Sequence, residues 1–156
     1  MKRKQAGFSL IELLIVVAII LIIAAIAIPN LMASRMAANE SSAVQESRAI
    51  TTAEVVYHTQ YGIGFSAQLT DLGDGGVVTS TSAGLIDSVL AAGTKGGYSF
   101  LYVPLNQDSS NHYQNFTLNA NPLDPGHSGR KYFYTDQTGV IRVNLTAPAL
   151  PGDPAI

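Results

Sequence analysis

The sequence predicts an α+β chain in which one long N-terminal helix, apolar in its first half, lays its second half on a small antiparallel sheet. Three observations carry this expectation. Residues 8–28 form an apolar run of twenty-one residues broken only by Ser9 and Glu12. Met36, Ala43, Ile50 and Tyr57 then recur every seven residues through a stretch without Gly or Pro until Gly62. Beyond it, short runs rich in aromatic and β-branched residues alternate with Gly-, Asn- and Asp-rich turns.

The first element begins behind MKRKQAG, a short polar segment carrying Lys2, Arg3 and Lys4. As a helix, the apolar run from Phe8 to Ile28 measures about 31 Å, enough to cross the hydrocarbon core of a bilayer. The positive charges ahead of it predict a cytoplasmic N-terminus with the remainder of the chain outside. A secretory signal has a shorter apolar core followed by small residues at its cleavage site. Here the small residue, Gly7, precedes the apolar core. A cut at that point removes residues 1–7 with their charges and keeps the membrane helix. Glu12 stands out because an acidic residue near the centre of a membrane helix costs about 2.5–3.5 kcal/mol on insertion scales. Its place near the cytoplasmic end softens that cost, and the group still calls for a partner. Cleavage after Gly7 would create one, the α-amine of Phe8, on the same chain or on a neighbour. The plainer alternative is a signal anchor whose Glu12 reaches the headgroups.

Pro29 follows at once and is expected to kink or locally melt the helix, since it removes a donor and crowds the preceding turn. Residues 29–61 continue as the second half. Its stripe of Met36, Ala43, Ile50 and Tyr57 is reinforced by Ala53 and Val56, with Arg35, Glu40, Glu46, Arg48 and Glu54 mostly off it. Polar Asn39, Glu46 and Ser47 between the stripe positions argue against a coiled coil. Gly62 and Gly64 end the helix. Residues 62–156 are expected to form the β-rich head. Leu85–Leu90 reads as a short helix with Leu85, Ile86 and Val89 inward. Strands are expected at Gly97–Val103, Tyr113–Asn119, Lys131–Thr135 and Val140–Leu145, three or four of them in a meander. Tyr98, Phe100 and Tyr102 share one face, and Asp136–Gly139 makes a tight turn. The Pro-rich ending APALPGDPAI reads as a flexible tail.

Composition bounds the function. The chain is 47% hydrophobic and 13% charged over 156 residues, and most of the apolar excess lies in residues 8–28. Without residues 1–7, six basic residues face eleven acidic ones, a net charge of −5. That balance argues against general nucleic-acid binding, which needs a basic surface. Lys95, Arg130, Lys131 and Arg142 are the residues from which a local patch could form. There is no cysteine, so neither a disulfide nor a thiolate metal site supports the head. Asp71 and Asp74 lack the alternating ligands and distant Glu of a calcium loop and read as a surface turn. His58, His112 and His127 stand apart, with no HExxH pair and no nucleophile elbow. The expectation is a non-enzymatic chain with no metal and no cofactor.

G-F-S-L-I-E across Gly7 to Glu12 resembles the cleavage and methylation motif of type IV prepilins. Gly7 stands before the cut, Phe8 is the expected new terminus, and Glu12 is the fifth residue after it. Pro29 is the twenty-second from Phe8, where this family commonly carries a bending proline. The head is similar more loosely, as a pilin-like helix, variable loop and small sheet, without the C-terminal disulfide or acidic calcium cluster of some members. The resemblance implies removal of residues 1–7 by a prepilin peptidase that also N-methylates Phe8. It implies assembly with other copies into a helical filament, using an inner-membrane platform and an ATPase, with Glu12 pairing the α-amine of an adjoining subunit. The expected course is an inner-membrane precursor and then a surface filament used for adhesion or motility. Two alternatives stay open: a pseudopilin of a type II secretion or DNA-uptake machine, and a membrane-anchored binding domain that never polymerises.

Overall fold

A computed structural model describes residues 8–156 of the chain. It divides into two units, residues through Arg35 and residues Met36–Ile156. Helix α1, Leu10–Tyr61, contributes to both.

In the first unit the large apolar side chains of the described residues are exposed. Leu10 is 79% exposed and Ile26 66%, and the rest of the run is similarly bare. The backbone stays helical through Pro29, so local melting is not the outcome there. Pro29 supplies no N–H to the preceding turn. Side chains supply hydrogen bonds nearby instead: Asn30 Nδ2 donates to the Ile26 carbonyl at 3.2 Å and Ser34 Oγ to the Asn30 carbonyl at 2.9 Å.

In the second unit, Met36, Ala43, Ile50 and Tyr57 are all buried, as the seven-residue spacing demands. Ala53 joins them, but Val56 is 40% exposed. Ser47 and Glu54 take the stripe's remaining places and are buried. One apolar face of α1 thereby meets Tyr98, Phe100, Phe116, Leu118 and Phe133 from the sheet in a single core. Burial of each such large side chain contributes about 1.5–3 kcal/mol. The Gly62 amide closes the helix on the His58 carbonyl at 3.0 Å, and Gly62 itself adopts φ +64°.

A connecting segment follows, with a 3₁₀ turn at Leu69–Leu72 and a short helix α2 at Ser88–Ala91. Asp87 caps α2, accepting from the amides of Val89 and Leu90. The helix expected at Leu85–Leu90 is therefore shorter and later. Ile86 and Leu90 are buried and Leu85 is partly buried, while Val89 is 57% exposed. The cap sets this phase, because the helix starts only after Asp87.

The sheet has five strands in the order β1–β2–β3–β4–β5, every neighbour antiparallel: Thr94–Lys95, Tyr98–Gln107, Tyr113–Pro122, Tyr132–Asp136 and Arg142–Asn144. The meander is as expected, with a two-residue strand added at its start. Asp136–Gly139 makes the predicted turn, with Gly139 at φ +74° and its amide on the Asp136 carbonyl at 2.9 Å.

The ending expected to be a flexible tail is docked. Asn119 Nδ2 donates to the Ala149 carbonyl at 2.8 Å, and Ala149 is fully buried. The chain then returns along β5, where the Val143 amide donates to the Pro154 carbonyl and the Ile156 amide to the Ile141 carbonyl. Asp153 fastens the return by accepting from the Leu150 amide at 2.7 Å and from Asn144 Nδ2 at 3.2 Å. Prolines here remove amides that the sheet edge does not need, so the composition is compatible with order.

Candidate functional site

The residues singled out by the sequence cluster at the start of α1. Gly7 and the basic residues Lys2, Arg3 and Lys4 lie outside the described residues. Phe8 is 79% exposed. Ser9 starts the helix, its carbonyl accepting from the Leu13 amide at 3.2 Å. Glu12 turns back towards that end, and its Oε2 accepts from the Ser9 amide at 2.9 Å. This is the returning half of a capping box: a carboxylate three residues into a helix satisfies a backbone donor that the first turn leaves orphaned. The helix dipole favours the negative charge there. Glu12 is thus held beside the end of the helix on which a cut after Gly7 would place a new ammonium group. Nothing between Phe8 and Ile28 is buried, and α1 is long and apolar enough to cross a membrane. The arrangement offers an apolar helical surface with a single carboxylate at its head.

The other candidates do not converge. Among the described residues, no three His, Asp or Glu side chains gather as metal ligands. Asp71 is buried rather than in a surface turn, and its carboxylate accepts from the Gln68 backbone and side chain. His112 lies 3.7 Å from Asp108 and His127 3.3 Å from Asp124, at separate exposed loops. His58 packs on the Phe65 ring. Basic residues named above as candidates for a local patch are dispersed into local contacts. Lys95 bridges Glu46 and Asp87 at 2.8 Å each, Lys131 pairs with Glu40 at 3.0 Å, and Arg142 donates to the Asp153 carbonyl at 2.9 Å.

One charged residue was misplaced by sequence reasoning. Glu54, expected on the exposed side of α1, is fully buried. Its Oε1 accepts from the Ser66 hydroxyl and its Oε2 from the Ser66 amide at 3.0 Å. Tyr102 donates to the Ser66 carbonyl at 2.9 Å. Burial drives the Glu54 pKa above the usual carboxylate range, against the opposing pull of the Ser66 hydrogen bonds. Its position four residues after Ile50 and three before Tyr57 puts it on the face of the stripe, which is the signal that could have found it.

Comparison with known proteins agrees with the geometry of the helix start. The family profile described as "Prokaryotic N-terminal methylation motif" matches residues 2–28. The Thermus thermophilus protein named "Type IV wide pilus major component PilA4" is 62% identical over 39 residues, which cover 25% of this chain and only 30% of that protein. A "Fimbrial protein" of Pseudomonas aeruginosa is 35% identical over 112 residues, covering 61% of this chain and 73% of the relative. The "Type II secretion system core protein G" of Vibrio cholerae is 28% identical over 141 residues, 90% of this chain and 79% of the relative. No solved structure gives a significant match. The long exposed helix with its methylation motif, and a fimbrial relative matched across most of its length, place this chain in the type IV pilin family, a structural family that includes pilins and pseudopilins.

Proposed function

We propose that the chain is the structural subunit of a type IV pilus-like filament, anchored in the inner membrane by residues 8–28 and later assembled through the same helix at the cell surface. The observation that carries this reading is the bare apolar surface of α1 with Glu12 at its head. In lipid that surface is solvated by acyl chains. Outside the membrane it has to be covered, and the matching surface of other copies is a cover of the right length and polarity. Removal of residues 1–7 after Gly7 and methylation of Phe8 by a prepilin peptidase precede assembly. Pro29 bends the helix between its two halves. A platform protein and an ATPase drive the transfer.

In this reading the ammonium group of Phe8 leaves water for an apolar core, where a lone charge is strongly unfavourable, and the Glu12 carboxylate neutralises it. The Ser9 amide holds that carboxylate at the helix start. Replacing Glu12 by Val removes the carboxylate and makes membrane insertion easier. The expected outcome is a normal level of cleaved chain with little or no filament, read from membrane fractions and from sheared surface material. Wild-type filament yield from Glu12→Val alone contradicts the assembly role.

A second reading, a pseudopilin of a secretion machine, is favoured by one observation: the match to the type II secretion core protein G spans 90% of this chain. Filament length separates the two. A pilin gives long surface filaments recoverable by shearing, and a pseudopilin gives short ones confined to the periplasm.

A further inference from the structure

Residues 63–68 join the end of α1 to the 3₁₀ turn and pack on the core through Ile63 and Phe65. This strap is fastened at two neighbouring points. At the first, a Cβ on Gly64 would collide with the Tyr113 carbonyl oxygen, so glycine brings the strap close against β3. The Phe65 amide donates to that carbonyl at 2.8 Å, and the Phe65 ring meets Phe116 edge-on. The second point is Ser66, which is fully buried. Its amide and hydroxyl both donate to the Glu54 carboxyl, and its carbonyl accepts from Tyr102 at 2.9 Å. Beyond the strap, Leu69 and Leu72 anchor the 3₁₀ turn in the core.

Glu54 is placed to make the second fastening depend on a proton. Among the described residues no Lys or Arg pairs with it. The titratable groups that face it are Tyr57 from its own helix, Asp71 from the 3₁₀ turn and Tyr102 from β2. Asp71 is itself buried. A carboxylate out of water, with a second carboxyl nearby and no cation, is unfavourable. The neutral acid fits the same contacts. One oxygen accepts from the Ser66 amide, and the other, once protonated, donates to the Ser66 hydroxyl oxygen. One turn further along α1, His58 packs on the Phe65 ring of the same strap.

We propose that Glu54 is a proton-operated catch for the strap of residues 63–68. Its neutral form holds Ser66, and its ionisation lets the strap lift from α1 and β3 while the sheet stays folded. On lifting, Glu54 gives one proton to solvent and its carboxylate becomes hydrated. Below the pKa of an exposed Glu, about 4.3, the closed and lifted forms both carry the proton, and lifting does not depend on pH. Above it the lifted form is ionised while the closed form is not. Lifting then grows by up to about tenfold per pH unit until the closed-state pKa, which burial raises, is passed. The catch is therefore tight in acid and loosens as pH rises. It requires nothing of assembly, so it stands or falls apart from the filament reading.

Hydrogen exchange of the full-length chain in detergent, followed at the Phe65 and Ser66 amides from about pH 5 to 8 and corrected for intrinsic rates, reads the lifting. Protection at both amides should fall with pH by up to about tenfold per unit and level off above the closed-state pKa. It should stay at least about tenfold below that of the β2–β3 ladder and ignore low denaturant, because lifting exposes little surface. Glu54→Gln keeps both contacts to Ser66 and should hold protection constant across the series, whereas His58→Gln should leave the wild-type slope in place. In the wild type, the carboxyl carbon resonance of Glu54 should titrate where the protection levels off. Wild-type protection that does not change with pH overturns the proposal without any variant, as does a Glu54 resonance already ionised at the lowest pH. So does exchange of Phe65 and Ser66 with the protection and denaturant sensitivity of the ladder, which means that the strap opens only when the whole unit unfolds. A slope that survives Glu54→Gln, or vanishes in His58→Gln, assigns the proton to another group and overturns it as well.

Discussion

Glu54 brings a carboxyl group into the core of the Met36–Ile156 unit with a hydroxyl and an amide of Ser66 as its partners. The other titratable groups facing it are Asp71, Tyr57 and Tyr102, none of them cationic. Burial raises the folded-state pKa of Glu54, and nearby Asp71 adds to the rise. A carboxyl whose folded pKa exceeds its unfolded value contributes stability that is fully present below the unfolded pKa, about 4.3, and is lost as pH rises through the folded one. Lowering the pH from 7 towards 5 should therefore stabilise the unit through this group. Glu54→Gln, which can accept from the Ser66 amide and donate to its hydroxyl, should flatten that part of the pH profile and match or exceed wild type at pH 7. Glu54→Ala strands two buried polar groups at about 1–3 kcal/mol each and should be clearly destabilising. Thermal unfolding of the detergent-solubilised chain at a series of pH values measures all three. An unchanged pH slope in the Gln variant contradicts the assignment. Residues such as Glu54 are where the sequence was hardest to read. Its partner lies twelve positions away in a coil, and helical periodicity alone carries no information about such a partner.

The elements were more legible than their contacts. α1 could be read because its stripe and its apolar run are periodic and local, and the β4–β5 turn because Gly139 supplies the positive φ that it needs. β2 and β3 reach further than expected, to Gln107 and Pro122, because each strand's extension is sustained by its partner. The docked ending escaped notice because its order comes from distant groups, Asn119 above all, while its own composition is that of a coil. It closes the β5 edge, which would otherwise present unpaired backbone groups. Asp153→Ala removes the acceptor for the Leu150 amide and Asn144. The expected outcome is faster hydrogen exchange at the Val143 and Ile156 amides, with the β2–β3 amides unchanged and a stability loss of about 1–2 kcal/mol. Equal exchange in variant and wild type would mean that the backbone pairing holds the segment without Asp153.

For the whole molecule, the sequence divides the work between two surfaces of one chain. The first unit is an apolar helix with one carboxylate at its head, suited to lipid before assembly and to copies of itself afterwards. The second unit is a disulfide-free head, held by an α1 stripe against a five-stranded sheet. The start of α1 was legible because residue types, spacing, leader charge and apolar length agree within thirty residues. The head's own surfaces were not, since the exposed faces of the sheet exist only once the meander is folded. In the proposed function, processing after Gly7 connects the two stages, because it would remove the charged leader and create the ammonium group that Glu12 would meet. The mass of the intact chain in sheared surface filaments tests this most directly. The expected chain begins at Phe8, lacks residues 1–7 and is heavier by one methyl group on that residue. Filaments built from chains that still begin at Met1 would contradict it.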